Sequence, residues 1–264
     1  MNWKNVFKGT AMGMVETVPG VSSSTIAILL GIYGQIIAAI NDLTTKRWKK
    51  AILFLIPVGI GMGVGFVISI RIVKFFLDHF TFETHFFFMG LIIGMLPFLF
   101  KEGYMSDEMK PYRVNHYVIM LISFLLAMSL NFIPEKGTLI DGLTIFDYVY
   151  LFVSGWLASI ALVLPGISGA LILMIVGAYN TAITAVLELN LPIIIVIATG
   201  IIVGILLTSK FVKYMLEYHL KVTYSFMIGL IAGSLTVLYP GFSTNPIQIF
   251  ISLLALFAGV LFVI

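Results

Sequence analysis

The stretch ETVPGVSSST, residues 16–25, is echoed at residues 162–171 by LVLPGISGAL, and this echo decides the fold. With an offset of 146, Pro19 overlays Pro165, Gly20 overlays Gly166, Ser22 overlays Ser168, Gly31 overlays Gly177 and Tyr33 overlays Tyr179. A second match, offset by 139, lays RIVKFFLDHFTFETHFFFMGLIIG (71–94) on KFVKYMLEYHLKVTYSFMIGLIAG (210–233), with 9 of 24 positions identical. Repetition on this scale implies two copies of one structural unit, residues 1–135 and 136–264. Each copy opens on an apolar stretch, 5–40 or 146–187, interrupted by Pro-Gly. Proline ends a helix and glycine permits a turn, so each stretch reads as a helical hairpin. The arm before Pro19 carries Lys8 and Glu16 and is too short and too polar to cross a bilayer alone, so it dips in and returns. Backbone freed from helical bonding at membrane depth survives only inside protein or a wet cavity. The tips therefore belong in the interior.

Composition sets the class. The 264 residues are 60% hydrophobic and 10% charged, with a mean hydropathy of +1.11, against roughly 25% charge in a soluble domain. Runs long enough for a membrane helix, about 20 residues, lie at 51–77, 84–100 and 115–133 in the first copy and at 191–215, 222–239 and 246–264 in the second. No alternating pattern suggests a barrel. The expected fold is an all-α polytopic membrane protein with inverted repeats, each a re-entrant hairpin plus three spans. The first residues have basic side chains but no uninterrupted apolar core and no cleavage site before Glu16, unlike a signal peptide. There is no cysteine, which excludes thiolate metal sites. A net charge of +3 gives no case for nucleic acid.

Three crossings separate the hairpins, an odd number, so the copies are expected to be inverted. With both termini cytoplasmic, 12 of the 15 basic residues fall inside and only Arg71, Lys74 and Lys136 outside, as the positive-inside bias requires. The segments 134–145 and 239–246 are then external.

Inverted repeats with broken helices are the architecture of secondary transporters, whose site lies where the repeats meet. After each Pro-Gly a helix is expected to start, and its unpaired N–H groups suit a phosphate or carboxylate. The candidate site residues are Glu16, Pro19, Gly20, Ser22, Ser23, Ser24 and Thr25 in the first tip and Pro165, Gly166, Ser168 and Gly169 in the second. The bland alternative is that the hydroxyls only cap their helices. Glu16 is a candidate because an acid at membrane depth is costly; it could neutralise Lys8, two turns earlier, or take up a proton. Two matched basic pairs, Arg71 with Lys74 and Lys210 with Lys213, have i, i+3 spacing, which puts both cations on one helical face. The four histidines are scattered near span edges without ligand spacing, so no metal or cofactor is expected.

GTAMGMVETVPGVSSSTIAILLGIYGQII together with LVLPGISGALILMIVGAYNTAI resembles the polyprenyl-phosphate translocases of the PopT type, over essentially the whole chain. The resemblance implies a flippase that returns undecaprenyl phosphate, the carrier lipid of bacterial envelope synthesis, from the outer to the inner leaflet of the cell membrane. The first motif of that family reads like A-D-x-V-P-G-V-S-G-G-T; Glu16 stands at its aspartate, and Ser23 and Ser24 replace two glycines. The partner implied is the phosphate lipid in its bilayer. The coupling ion, proton or sodium, and homo-oligomerisation are left open. The alternatives are a membrane polyprenyl-diphosphate phosphatase and a small-anion carrier or channel. The phosphatase lacks support, because neither tip has an adjacent arginine and Glu16 has no second acid within a helical turn.

Overall fold

A computed structural model describes residues 3–16, 21–105, 111–132, 144–241 and 243–263. Every regular element among the described residues is a helix. The first part contains α1 (Lys4–Val15), α2 (Ser23–Leu29), α3 (Tyr33–Asp42), α4 (Trp48–His79), α5 (Thr81–Met105) and α6 (Val114–Ser129). The second contains α7 (Ile145–Val163), α8 (Gly169–Val176), α9 (Tyr179–Leu187), α10 (Leu191–Tyr218), α11 (Leu220–Leu238) and α12 (Pro246–Val263). Among the described residues, six helices are long and apolar enough to cross a membrane: α4, α5, α7, α10, α11 and α12.

Two expectations shift. The span expected at 115–133 is a 16-residue helix, α6, followed by a single 3₁₀ turn, Leu130–Phe132. Pro134 in the sequence disfavours helical backbone at the residue before it. The second hairpin is also unequal to the first: its leading arm, α7, has 19 residues and spanning composition, whereas α1 has 12. The expected boundary at 135/136 and most of the segment 134–145 lie outside the described residues.

The helices pack in four main pairs, α1 with α4, α7 with α10, α5 with α12 and α6 with α11. Glycine is what lets them approach. A Cβ on Gly9 would lie 2.2 Å from the Val58 carbonyl oxygen, and one on Gly61 2.0 Å from that of Val6. In the second part, a Cβ on Gly155 would lie 2.5 Å from Ile197 O and one on Gly200 2.2 Å from Phe152 O. Within lipid, helix association depends on close van der Waals contact through small residues spaced four apart, here Gly9 and Gly13 against Gly61 and Gly65. The contact partners rise together along both helices, so each pair is parallel.

The sequence match at 71–94 and 210–233 contains a shared corner. Thr84 Oγ1 donates to the carbonyls of Phe76 (3.1 Å) and Phe80 (2.7 Å), closing the turn between α4 and α5. Thr223 Oγ1 does the same for Met215 and His219, both at 2.9 Å, between α10 and α11.

Beyond each Pro-Gly the chain breaks a second time. α2 and α3 meet at 116°, and α8 and α9 at 111°. The bends fall at Gly31 (φ 65°) and Gly177 (φ 81°), left-handed positions that glycine tolerates. Each hairpin therefore ends in a short central helix that turns sharply away.

Candidate functional site

α2 is seven residues long, too short to be stable by itself, and α1 holds it at both ends. The Glu16 carboxyl faces the backbone N–H and the hydroxyl of Ser23, the first residue of α2, on one cavity wall. At the other end Lys8 Nζ donates to the Leu30 carbonyl at 2.9 Å. An acid at a helix N-terminus and a cation at its C-terminus both complement the macrodipole. This corrects the expectation that Glu16 neutralises Lys8: α2 runs back antiparallel to α1, so the two charges meet opposite ends of α2. Lys8→Met leaves the Leu30 carbonyl without this donor, at a cost of about 1–3 kcal/mol. The expected outcome is a lower unfolding temperature of the purified protein, partly restored by Lys8→Arg; an unchanged unfolding temperature contradicts it.

The two tips touch. Ser22 and Ser168 stand at the N-cap positions of α2 and α8, yet neither side chain caps its helix. Ser22 Oγ pairs with Ser24 Oγ at 2.7 Å, and Ser24 Oγ donates across the hairpins to the Leu164 carbonyl at 3.2 Å. Thr25 Oγ1 accepts from the Gly166 N–H at 3.0 Å. Tyr33, from the start of α3, donates its hydroxyl to the Val163 carbonyl at 2.9 Å. Ser22, Ser23, Ser24 and Thr25 are all buried, as are Pro165, Gly166 and Gly169, while Ser168 is half-buried. Gly166 has φ +90°, and a Cβ there would lie 2.7 Å from the Leu230 carbonyl carbon of α11. Pro19 and Gly20 lie outside the described residues.

Beside the crossing is a cavity of about 270 Å³, with Glu16, Ser23, Ser24 and Tyr33 on its wall and Leu162 and Val163 from the second hairpin. Tyr33 also lines a second cavity of about 270 Å³, whose polar wall is Glu102 and Tyr224. Tyr33 thus stands between the two. It and Lys8 were not among the expected site residues; the signal for Tyr33 was its match with Tyr179.

The basic pairs are not gathered into this cluster. Arg71 is exposed on α4, two residues beyond Ser69, whose hydroxyl donates to the Met14 carbonyl near the end of α1 at 2.6 Å. The cation therefore stands near the height of the first hairpin's turn, with eight residues of α4, about 12 Å, still beyond it. Lys210 is exposed on α10, and Lys213 pairs with Glu217 at 3.8 Å. The side chain of Lys74 lies outside the described residues.

Residues 12–252 match the undecaprenyl phosphate translocase-like family. The chain belongs to this family. It is 37% identical to a polyprenyl-phosphate transporter of Staphylococcus aureus, over 97% of this chain and 93% of the relative. It is 28% identical to a polyprenyl-phosphate transporter of Vibrio cholerae, over 91% of this chain and 79% of the relative. No solved structure matches. The family is one of translocases, not of phosphatases.

Proposed function

We propose that this protein carries polyprenyl phosphate, with undecaprenyl phosphate as the natural substrate, from the outer to the inner leaflet of a bacterial cell membrane, and that the phosphate is held where the two hairpins cross. The observation that carries this reading is the crossing itself: buried hydroxyls of α2 bonded to the second tip, beside a cavity that also receives Glu16. Ser23, Thr25 and Ser168 offer hydroxyl donors, Ser22 and Ser24 do so by giving up their bonds to one another and to the Leu164 carbonyl, and Gly166 and Gly169 leave room for backbone to approach. Phosphate and the Glu16 carboxyl would compete for the N–H and O–H of Ser23, so Glu16 holds those donors while the site is free and takes them back on release. Hydrogen bonds to an ionised phosphate and to an ionised carboxylate are both charge-assisted, so the two anions compete for Ser23 on similar terms.

The repeat reading fits the parallel pairing of α1 with α4 and of α7 with α10, and we take residues 1–135 and 136–264 as inverted halves with both termini cytoplasmic. Arg71 and Lys74 then face the outer leaflet and collect the phosphate, arginine being suited to forked phosphate contacts. Lys210 and Lys213 receive it at the inner one, with Glu217 as the resting partner of Lys213.

The test is transport of labelled undecaprenyl phosphate by purified protein in vesicles of known orientation. Ser22→Leu and Ser168→Leu are each expected to abolish transport in protein that stays folded, and Arg71→Ala to slow uptake from the outer leaflet more than the control Lys136→Ala. Undiminished lipid binding in both tip variants would place the phosphate elsewhere.

A further inference from the structure

A cavity larger than either of the two that Tyr33 lines is separate from the hydroxyl cluster. It is a groove of about 480 Å³ between α4, α5 and α12, bounded by Ile72, Phe76, Phe88 and Ala255 and closed at its inner end by Met14 of α1. Its volume is that of a small-ligand pocket, roughly 300–1,000 Å³. Its walls are almost wholly apolar. The hydroxyl of Thr84, which lines it, is engaged with the carbonyls of Phe76 and Phe80, so it is committed within the corner. The remaining polar group is Glu83, in the first turn of α5, which repels an anion from the corner end of the groove.

Three features tie this groove to the crossing of the hairpins. Met14 lies two residues before Glu16, and its carbonyl accepts from Ser69. Phe88 is a wall shared with a void of about 10 Å³ that touches Val21 and Thr25, so one buried ring divides the groove from the tip. Arg71 precedes Ile72 on α4 and supplies positive charge on the same stretch of helix. Apolar walls, an acid at the corner, and a cation with the hydroxyl cluster towards the other end suit a molecule whose head is anionic and whose body is hydrocarbon.

We infer that this groove binds isoprenoid units of the substrate beyond the first two, which reach from the crossing past a displaced Phe88 ring, with the rest of the chain left in the bilayer. The inference rests on the reading that the phosphate sits at the crossing. A tail that leaves the bilayer for a protein groove gains van der Waals contact rather than burial from water, because lipid is already apolar, so filling the groove removes that gain without touching the head.

The experiment compares undecaprenyl phosphate with geranyl phosphate, a short prenyl phosphate, as ligands of the full chain in nanodiscs. Wild type is expected to bind the long chain at least about tenfold more tightly. Ala255→Trp is expected to bring the long chain down to the affinity of the short one and to leave geranyl phosphate unchanged. A chain-length preference that survives Ala255→Trp overturns the groove, while the phosphate site stands or falls separately on loss of geranyl phosphate binding in Ser22→Leu. A second measurement does not depend on how the tryptophan packs. Ala255→Cys introduces one thiol into a chain without cysteine, and bound undecaprenyl phosphate is expected to slow its alkylation by a membrane-permeant maleimide at least about tenfold relative to geranyl phosphate. Equal rates with the two ligands also overturn the proposal.

Discussion

Gly166→Ala is expected to abolish transport and to lower the unfolding temperature of the purified protein. Two independent costs meet at this residue. Its φ of +90° is one that a residue with a Cβ rarely adopts, at about 1–3 kcal/mol. The added methyl would also lie 2.7 Å from the Leu230 carbonyl carbon and 2.8 Å from the Ile231 nitrogen. These are backbone atoms of a helix, not the end of a flexible side chain, so α11 or the tip must move. Either movement pulls the Gly166 N–H from Thr25 and separates the hairpins. Gly177→Ala is the useful contrast. It carries a comparable left-handed penalty, but at the bend between α8 and α9, away from the crossing, so it is expected to cost stability with smaller loss of lipid binding. Vesicle transport and thermal unfolding, measured on both variants, check this; equal transport by Gly166→Ala and wild type would refute it.

The fold was legible because its two strongest signals are independent. Apolar run length alone gives helices, since nothing else satisfies backbone groups in lipid, and five of the six expected spans are long apolar helices with shifted ends. The repeated Pro-Gly gave the hairpins, and the Thr84/Thr223 identity proved to be a hydrogen-bonded corner. The second bend at Gly31 and Gly177 was present in the same alignment but carries no polar mark. An isolated glycine in an apolar run has the same spelling whether it bends the chain or lets a neighbouring helix approach, as Gly9 and Gly61 do. Only the partner helix distinguishes the two.

The tip residues were legible as a group and illegible in their bonds. Spacing places Ser22 to Thr25 at the start of a helix, where the plainer alternative to phosphate binding was capping. What the sequence cannot spell is a contact across about 140 residues, and that is where Ser24 and Thr25 spend their hydrogen bonds. Their repeat mates at offset 146 are Ala170 and Leu171, with no hydroxyl. The hydroxyl-rich tip therefore serves the main chain of the hydroxyl-poor one, which gives Ser24 and Thr25 a reason independent of the substrate. Lys8 escaped notice for a similar reason: its partner is a main-chain carbonyl, which has no signature in a sequence.

Thr25→Val tests that asymmetry. Valine has nearly the shape of threonine, and Thr25 is 2% exposed, so the substitution opens no cavity and removes only the oxygen that accepts from the Gly166 N–H. A buried donor left without a partner costs about 1–3 kcal/mol, more than the about 0.5–1.5 kcal/mol net value of an ordinary hydrogen bond. Orphaned N–H groups are also rarer in native proteins than under-satisfied carbonyls. Ser24→Ala, which withdraws the 3.2 Å bond to the Leu164 carbonyl, is therefore expected to be the milder change. The predicted order of transport rates is wild type, then Ser24→Ala, then Thr25→Val, the last reduced at least about tenfold, since 1.4 kcal/mol corresponds to a factor of ten. Thr25→Ser restores the acceptor and loses one methyl, so it is expected to recover most of the rate. Recovery separates the hydrogen bond from packing, which serine fills less well than valine. A Thr25→Val protein that transports like wild type, or a Thr25→Ser protein that transports no better than Thr25→Val, would show that the two hairpins do not depend on this bond.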